Sequence, residues 1–524
     1  MGVVRRLRLV VLGTSCALGM SLVHAVSAPP ADVPLSISIV GNHFVDGSGA
    51  RIRLLGVDHT SAEYGCVDGF GYDDGHFDAR DAAAIASWGA DAVRIPLNED
   101  CWLGLNGQPN SDEGADPPLT QLGYQTEIEN YVHDLNARGI YAILDLHWTA
   151  PGTQVALEQQ PMPDLDHSPA FWTSVATAFK SDPAVVFDLF NEPFDPTDPR
   201  SGDDKNPNDK VSWDCWANGT QPDPLGGGAM TNCVTQAYDD AGRPTTRYQI
   251  AGLQTLLDAI RATGATQPVL AGGLDYANDL GDHDHGGQWM NHAPNDPLNQ
   301  EAASFHNYMG KVCDNLSCWK NAIAPVAKHV PVVTGEFDED DFDQAKCAHQ
   351  APSTFDADYM NWADSAGVSY LAWGWIVESR SEQNADRCSA YFLIDDYSAY
   401  TPAAPNGVAL HDHLRALATG KPQLVLTAFG ASVGAGNRSV RISLRTKQNC
   451  RASVTAAASG IALGTAHASL SAGRSHVVSV SLPSRARKTL VGAGSLRLRV
   501  TITLTSTKNT RDVVDRAVTV HAVG

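Results

Sequence analysis

Beyond its N-terminal segment the 524-residue sequence has no apolar run long enough to cross a bilayer. It has no CxxC pair and no His-rich spacing of the kind that holds zinc, so neither a metal nor another cofactor is expected. No GxGxxG follows the first strand-like run, which removes the signature of a dinucleotide-binding open sheet. Low-complexity tracts are missing too. With 43% hydrophobic and 18% charged residues, the composition is that of a chain able to bury a large core and a second domain. Basic charge is scarce before residue 421 and acidic charge scarce after it. Residues 421–524 hold 15 Lys or Arg against only Asp512 and Asp515, a net of +13; the overall −22 leaves −35 on the first 420. Such an acidic body repels phosphate polymers, so nucleic acid is excluded as a partner. A neutral polymer is compatible with it.

The N-terminal segment itself reads as a secretory signal over residues 1–28. Arg5, Arg6 and Arg8 precede the apolar stretch LVVLGTSCALGMSLV, and small residues from Ala25 to Ala28 offer a cleavage site. Gly13-Thr14-Ser15 before Cys16 fits a lipobox poorly. A secreted, extracellular protein is therefore expected, a monomer with no membrane attachment once the signal is removed. In an oxidising compartment the later cysteines become disulfide candidates. Sequence neighbours are the expected pairs: 66 with 101, 215 with 233, 313 with 318 and 347 with 388. Cys450 is left over and expected reduced in a β core.

Short apolar runs alternate with helical periodicity eight times. The runs are RIRLLGVD (51–58), AVRIPL (92–97), YAILDLH (141–147), VVFDLFNEP (185–193), PVLAGGLD (268–275), ASFHNY (303–308), PVVTGEF (331–337) and YLAWGW (370–375). Helical segments such as DARDAAAIASWGA, YQIAGLQTLLDAIRATG and CWKNAIAPVAKH separate them, except between the fifth and sixth runs. Eight strand–helix units predict a closed (β/α)8 TIM barrel over residues 36–420. In that fold the carboxyl ends of the strands build the active site. Here those ends carry Asp58-His59, Arg94, His147-Trp148, Asn191-Glu192, His306, Tyr308, Glu336, and Trp373 or Trp375. Taken singly several have ordinary readings: His147 as a core histidine, Trp148 as packing, Arg94 as a partner of Asp100. Two carboxylates on strands four and seven face each other across the mouth. Glycosidic bond cleavage needs such a pair, one to protonate the leaving oxygen and one to meet the positive charge developing on the sugar.

Seven stretches in order, GARIRLLGVD, VRIPLNEDCWL, ILDLHW, FDLFNEP, HNY, VVTGEF and AWGW, resemble glycoside hydrolase family 5, the large cellulase and mannanase family. The resemblance implies the same barrel and retaining hydrolysis of β-1,4-linked glycans. By it Glu192 is the acid/base and Glu336 the nucleophile. Asn191 binds the sugar 2-hydroxyl, Arg94 and Tyr308 flank Glu336, and His147 and His306 line the cleft. Trp373, or Trp375 one residue beyond Gly374, is the aromatic platform; Trp148 and His59 complete the substrate-binding set. The expected substrate is a polysaccharide or oligosaccharide, β-1,4-glucan first. A β-mannanase, a xyloglucanase, an exo-acting β-glucosidase and a non-catalytic carbohydrate-binding protein remain as alternatives.

Two further stretches carry expectations. The insert between Phe194 and Tyr248 holds Cys215, Cys233, Trp213 and Trp216, and an indole pair in such a loop could wall the cleft or pack beneath it. The acidic run EFDEDDFD (336–343) lacks the glycine and spacing of an EF-hand calcium loop and reads as a solvated face. After residue 420 the pattern becomes β alternation with polar turns, predicting a small immunoglobulin-like sandwich over 421–524. Phe429 is its only aromatic, which disfavours a sugar-stacking role and favours a spacer or surface attachment.

Overall fold

Each expected barrel run contains a strand whose neighbours on both sides are parallel. The computed structural model describes residues 35–110, 118–197, 209–221, 232–281, 288–339, 354–377 and 392–418, and stretches between 424 and 522. The barrel strands are β1 (Leu55–Asp58), β2 (Ala92–Asn98), β3 (Tyr141–Trp148), β4 (Val185–Asp188), β5 (Val269–Gly272), β6 (Glu301–Tyr308), β7 (Val332–Asp338) and β8 (Ser369–Ala372). They pair in chain order and β8 pairs with β1, closing the cylinder. The (β/α)8 barrel is thus the observed fold.

Alternation along the strands sorts side chains by height inside the barrel. Ala92, Ile143, Val186, Leu270, Ala302, Val333 and Leu371 form an apolar floor. Ile37, Ile39 and Phe44 belong to the same cluster and come from a small antiparallel sheet, Ile37–Val40, His43–Asp46 and Arg51–Ile52. Two residues further along the strands the same inward alternation brings Arg94, Asp145 and Asp188, all fully buried. The floor is hydrophobic and the next layer is charged.

Several elements differ from expectation for local reasons. β4 ends at Asp188, so Asn191-Glu192-Pro193 lies past the ladder rather than in it. The helix expected from Tyr248 starts at Leu253 behind Gly252; Pro244–Gln249 pairs with Val234–Tyr238 as a hairpin instead. CWKNAIAPVAKH is helical but broken, with a π-turn at Trp319–Ile323 just before Pro325. Among the described residues between β5 and β6 there is one short helix, Gln288–His292.

Cys66–Cys101, Cys215–Cys233 and Cys313–Cys318 are disulfide-bonded, as expected from their neighbourhood in sequence. The pair 347–388 lies outside the described residues, as does the segment 1–34. No helix of the described residues is long and apolar enough to cross a membrane.

In the C-terminal part, Leu424–Val425, Ser432–Val433, Ser439–Thr446 and Ser475–Ser481 form one antiparallel sheet. Cys450–Ala458, Ile461–Leu470, Ser495–Ser506 and Arg511–His521 form another. Val440, Ile442, Val454, Val478, Val500 and Ile502 share a core with the buried thiol of Cys450, the small all-β architecture expected. The strand Ile461–Leu470 and the helix Ser484–Ala493 were not expected. The first, IALGTAHASL, has one β-branched apolar residue and a central glycine; the second begins on charged residues with no apolar face that stands out.

Gly56 tests the closure. A Cβ there would lie 1.7 Å from the carbonyl oxygen of Ala92, the residue it faces on β2. Backbone cannot move aside as a flexible side chain could. Gly56→Ala is expected to destabilise by at least the upper end of the ~1–3 kcal/mol range for overpacking, read by chemical denaturation; an unchanged midpoint would show that β1 and β2 can part without cost.

Candidate active site

Arg94 stands at the centre of the charged layer with no exposed surface. Its Nη1 donates to Asp58 Oδ2 (2.8 Å) and Glu336 Oε1 (2.9 Å), and its Nε to Asp188 Oδ2 (3.0 Å). Nη2 donates to Asn191 Oδ1 (2.8 Å) and lies 3.0 Å from Asp145 Oδ2. Four carboxyl groups thus share one guanidinium. Asp100, the alternative partner considered from sequence, instead accepts from Asn106 and the Ala156 N–H. One cation cannot balance four anions in a buried site. Burial accordingly pushes Asp145 and Asp188 up to about 7, and Asp58 well above the usual carboxylate range, against the pull of Arg94.

From this hub the polar network runs upward to the cavity. Asp145 Oδ2 lies 2.6 Å from His147 Nδ1, fixing that ring, and His147 Nε2 is 3.2 Å from Asn191 Nδ2. Burial lowers His147 to about 3, so the ring is neutral and its Nε2 can accept from the amide. Asn191 is held on both ends: by Arg94 at Oδ1, and by His147 and Gln159 Oε1 (3.2 Å) at Nδ2. Gln159 also donates from Nε2 to the backbone oxygen of Glu192 (2.9 Å).

The two glutamates differ in their surroundings. Glu336, at the end of β7, accepts from Arg94 at Oε1 and from Tyr308 Oη at Oε2 (2.7 Å). Both its oxygens are therefore occupied by donors and aimed. Glu192 meets His306 Nδ1 at 2.8 Å. Burial raises the Glu192 carboxyl and lowers His306 to about 3, while the positive charge of Lys311 draws Glu192 back down. One carboxylate oxygen from each glutamate and His306 Nδ1 all lie within 4.8 Å of one another. With Nδ1 already bonded to Glu192 and Glu336 bonded to Arg94 and Tyr308, this trio is a proton-sharing set rather than an open ligand sphere.

Both glutamates open onto a cavity of about 820 Å³, lined also by Tyr64, Trp148, Gln159, Tyr276, Lys311 and Trp373. Trp373 lies nearly parallel to the His147 ring at 5.6 Å. The opposite wall rests on an unusual turn. Asp275, Tyr276 and Ala277 all have positive φ (59°, 56° and 53°), a left-handed conformation that costs non-glycine residues roughly 1–2 kcal/mol each. Pro193 O holds the Tyr276 N–H and His306 N–H donates to Ala277 O, so the turn is pinned between the loop carrying Glu192 and the strand β6 carrying His306. Tyr276 stacks on Phe194 at 4.4 Å and has Lys311 Nζ 5.2 Å from its ring centre.

The family model described as Cellulase (glycosyl hydrolase family 5) matches residues 46–379. The chain belongs to that family. The family-level expectation, a glycoside hydrolase, therefore holds. An endoglucanase of Microbulbifer sp. (strain ALW1) is 24% identical over 161 residues, 30% of this chain and 26% of that protein. An endoglucanase of Pectobacterium atrosepticum is 24% identical over 194 residues, 36% of each chain. The chain thus spans only about a quarter to a third of the length of these relatives. A solved β-glucanase from Saccharophagus degradans in complex with cellotetraose is 19% identical, covering 73% of this chain and 94% of that one, with a TM-score of 0.48.

Of the residues singled out from the sequence, this family-5 barrel brings Glu192, Glu336, Arg94, Asn191, His147, His306, Tyr308, Trp148 and Trp373 to one place. Two are elsewhere. His59 is fully buried between Phe77 and Tyr131, with Nε2 3.3 Å from Asp81. Trp375 is fully buried, donates to Asp81 Oδ1 (2.8 Å) and stacks on Tyr400. His59 alternates with the inward-facing Asp58 and so points outward, whereas Trp375 lies past the end of β8 at Ala372, where strand alternation no longer holds; the aromatic at the cavity is Trp373.

The insert after β4 does not wall the cavity with its indoles. Trp216 is fully buried and donates to the Gly272 carbonyl, and Trp213 packs on Trp216 and His292. The described head of the acidic run is not a solvated face either: Asp338 and Glu339 are buried, while 340–343 lie outside the described residues. The sequence reading passed over Gln159, Tyr276 and Lys311. Tyr276 was detectable as a polar aromatic just past the fifth strand, whereas nothing marks Gln159 within its long loop.

Replacing Arg94 by Met strands the buried carboxylates around it. Breaking a buried pair costs ~3–5 kcal/mol, so Arg94→Met is expected to lose activity and that much stability together, measured by urea denaturation and a hydrolysis assay. Retained stability would mean that the acidic ring simply protonates.

Proposed function

We propose that the protein is a secreted, retaining β-glycoside hydrolase that cleaves β-1,4-linked glucan in the endoglucanase manner. The observation that carries the mechanism is the approach of the two glutamates to within 4.8 Å at the cavity floor. Retaining enzymes hold their carboxyl pair about 5–5.5 Å apart, whereas inverting ones leave ~6.5–9.5 Å for a water. Glu336, aimed by Arg94 and Tyr308, attacks the anomeric carbon. Glu192, its carboxyl pKa raised by burial, gives its proton to the leaving oxygen. It then takes one from the water that releases the sugar. Asn191, held at both ends, offers its amide to the 2-hydroxyl, and Trp373 supplies an apolar face for the pyranose.

Three disulfides among the described residues favour an oxidising destination and thus export. We assign residues 1–28 to a signal peptide, 36–420 to the catalytic barrel and 421–524 to an accessory sandwich, in a monomer without a membrane anchor. The substrate is taken as β-glucan on the strength of relatives that are endoglucanases.

The test is a panel of soluble β-1,4-glucan, mannan, xyloglucan and short β-glucosides, with product sizing and anomer detection. Glucan cleavage to mixed oligosaccharides with the β configuration kept, lost by at least about 10³-fold in Glu336→Ala, is the expected outcome. No hydrolysis of any member by wild type would favour the carbohydrate-binding alternative. Lys311→Met gives a second check. Losing this positive charge raises the Glu192 pKa, so the alkaline limb of kcat/KM should move up by as much as about one pH unit. A downward shift would assign that limb to a different group.

A further inference from the structure

Away from the cavity a second set of metal-ligating side chains converges. Glu99, Asp164 and His167 each bring one donor atom to within 4.8 Å of the others, and none of them lines the active-site cavity. Glu99 opens the short helix that follows β2, while Asp164 and His167 come from the connection after β3. His167 Nδ1 stands 3.9 Å from Glu99 Oε1 and 3.8 Å from Asp164 Oδ1, too far for hydrogen bonds.

The odd member is Glu99. It is fully buried, yet neither of its oxygens meets a hydrogen-bond donor. The neighbouring hydroxyl, Ser168 Oγ, donates to Asp164 Oδ2 (3.2 Å) and lies near enough to Glu99 to favour its charged form, against a much larger cost of burial. Among the described residues no Lys or Arg pairs with Glu99 or Asp164; the only ionisable base beside them is His167. A buried carboxylate left in that state costs several kcal/mol unless a cation or a proton reaches it. Asp164, by contrast, is already aimed: its Oδ1 accepts the His167 backbone N–H at 2.7 Å. The Ala150 carbonyl, 3.3 Å from His167 Nδ1, offers a fourth donor atom.

We propose that Glu99, Asp164 and His167 form a binding site for a divalent transition-metal cation, with Zn2+ as its probe. Two carboxylates and an imidazole suit zinc or manganese better than an all-oxygen calcium cage. Bonds of about 2.0–2.2 Å at tetrahedral angles place ligand atoms ~3.4 Å apart, so His167 would close on each carboxylate by only about half an ångström from its present 3.9 and 3.8 Å. Access is available: the His167 side chain keeps 19% of its surface exposed, beside a groove lined by Gly152, Leu165 and Asp166. The cation would tie the end of β2 to the connection that carries Gln159, which holds both Asn191 and Glu192. The competing state is a proton shared between Glu99 and Asp164. Burial and Asp164 push Glu99 well above the usual carboxylate range, which is what the metal-free protein would need.

Titration calorimetry of the metal-stripped full chain with Zn2+, Mn2+ and Ca2+ decides between them, alongside Glu99→Gln, His167→Gln and Glu192→Gln. One Zn2+ or Mn2+ per chain is expected, with affinity reduced at least about tenfold in Glu99→Gln and His167→Gln and unchanged in Glu192→Gln. Zn2+ should also raise the melting temperature of wild type but not of His167→Gln. If Glu99→Gln fails to fold, His167→Gln, whose ring is partly exposed, carries the comparison. No Zn2+ or Mn2+ binding to wild type overturns the proposal in favour of the shared proton. Binding lost only in Glu192→Gln overturns it in favour of the catalytic carboxylates, and Ca2+ binding indifferent to His167→Gln removes the imidazole from the ligand set.

Discussion

A single guanidinium, buried at the height where the barrel turns from apolar to polar, organises the upper half of the molecule. Arg94 bonds to side chains from β1, β2's neighbour β3, β4, β7 and the loop after β4. Arginine suits this task because its planar fork presents donors in several directions at once and stays charged when buried. A lysine would offer one point of charge to the same ring. Since the hub is over-supplied with carboxyl groups, part of the ring must hold protons, and burial raises Asp58, Asp145 and Asp188 accordingly. The acidic layer is thus a store of hydrogen-bond acceptors rather than a block of four negative charges.

The asymmetry between the two glutamates follows from their distance to that hub. Glu336 touches Arg94 directly and has its second oxygen closed by Tyr308. Glu192 lies one shell further out, bonded through His306, itself neutral because burial outweighs the nearby carboxylates. Identical side chains on one cavity floor are thereby set to different tasks by what surrounds them. Gln159 and the left-handed turn at 275–277 keep the outer glutamate in place from opposite sides.

Much of this was legible in the sequence because it depends on period and order. Eight apolar runs, most of them carrying polar or aromatic residues near their carboxyl ends, are enough to place a barrel and its working end. Alternation by two even explains which residues share the interior, and it would have removed His59 had it been applied at strand ends; Trp373 and Trp375, two apart and past the end of β8, it could not separate. What stayed hidden depends on folding between distant segments. Asp145 and Asp188 read as polar interruptions of buried strands, and only closure shows that both aim at Arg94. Trp213 and Trp216 look like cleft aromatics, but the second is spent on the Gly272 carbonyl. Gln159 sits in a loop with no periodicity at all, and its role comes solely from where that loop ends.

The polar upper half must be held together by something other than apolar packing, and the covalent links fall where that need lies. The floor of the barrel has Ile37, Ile39 and Phe44 beneath its apolar ring. The strand ends above it have charged groups at their centre and long connections around them. All three described disulfides lie in those connections: after β1 and β2, within the insert after β4, and after β6. They close loops of 35, 18 and 5 residues, so they restrain the unfolded chain chiefly in segments with little core of their own. Cys313–Cys318 bears on the cavity most directly, since Cys313 N–H donates to Asn278, whose amide donates to the His306 carbonyl. The cross-links thus fix the rim of the cavity from outside, while Arg94 fixes its floor from within.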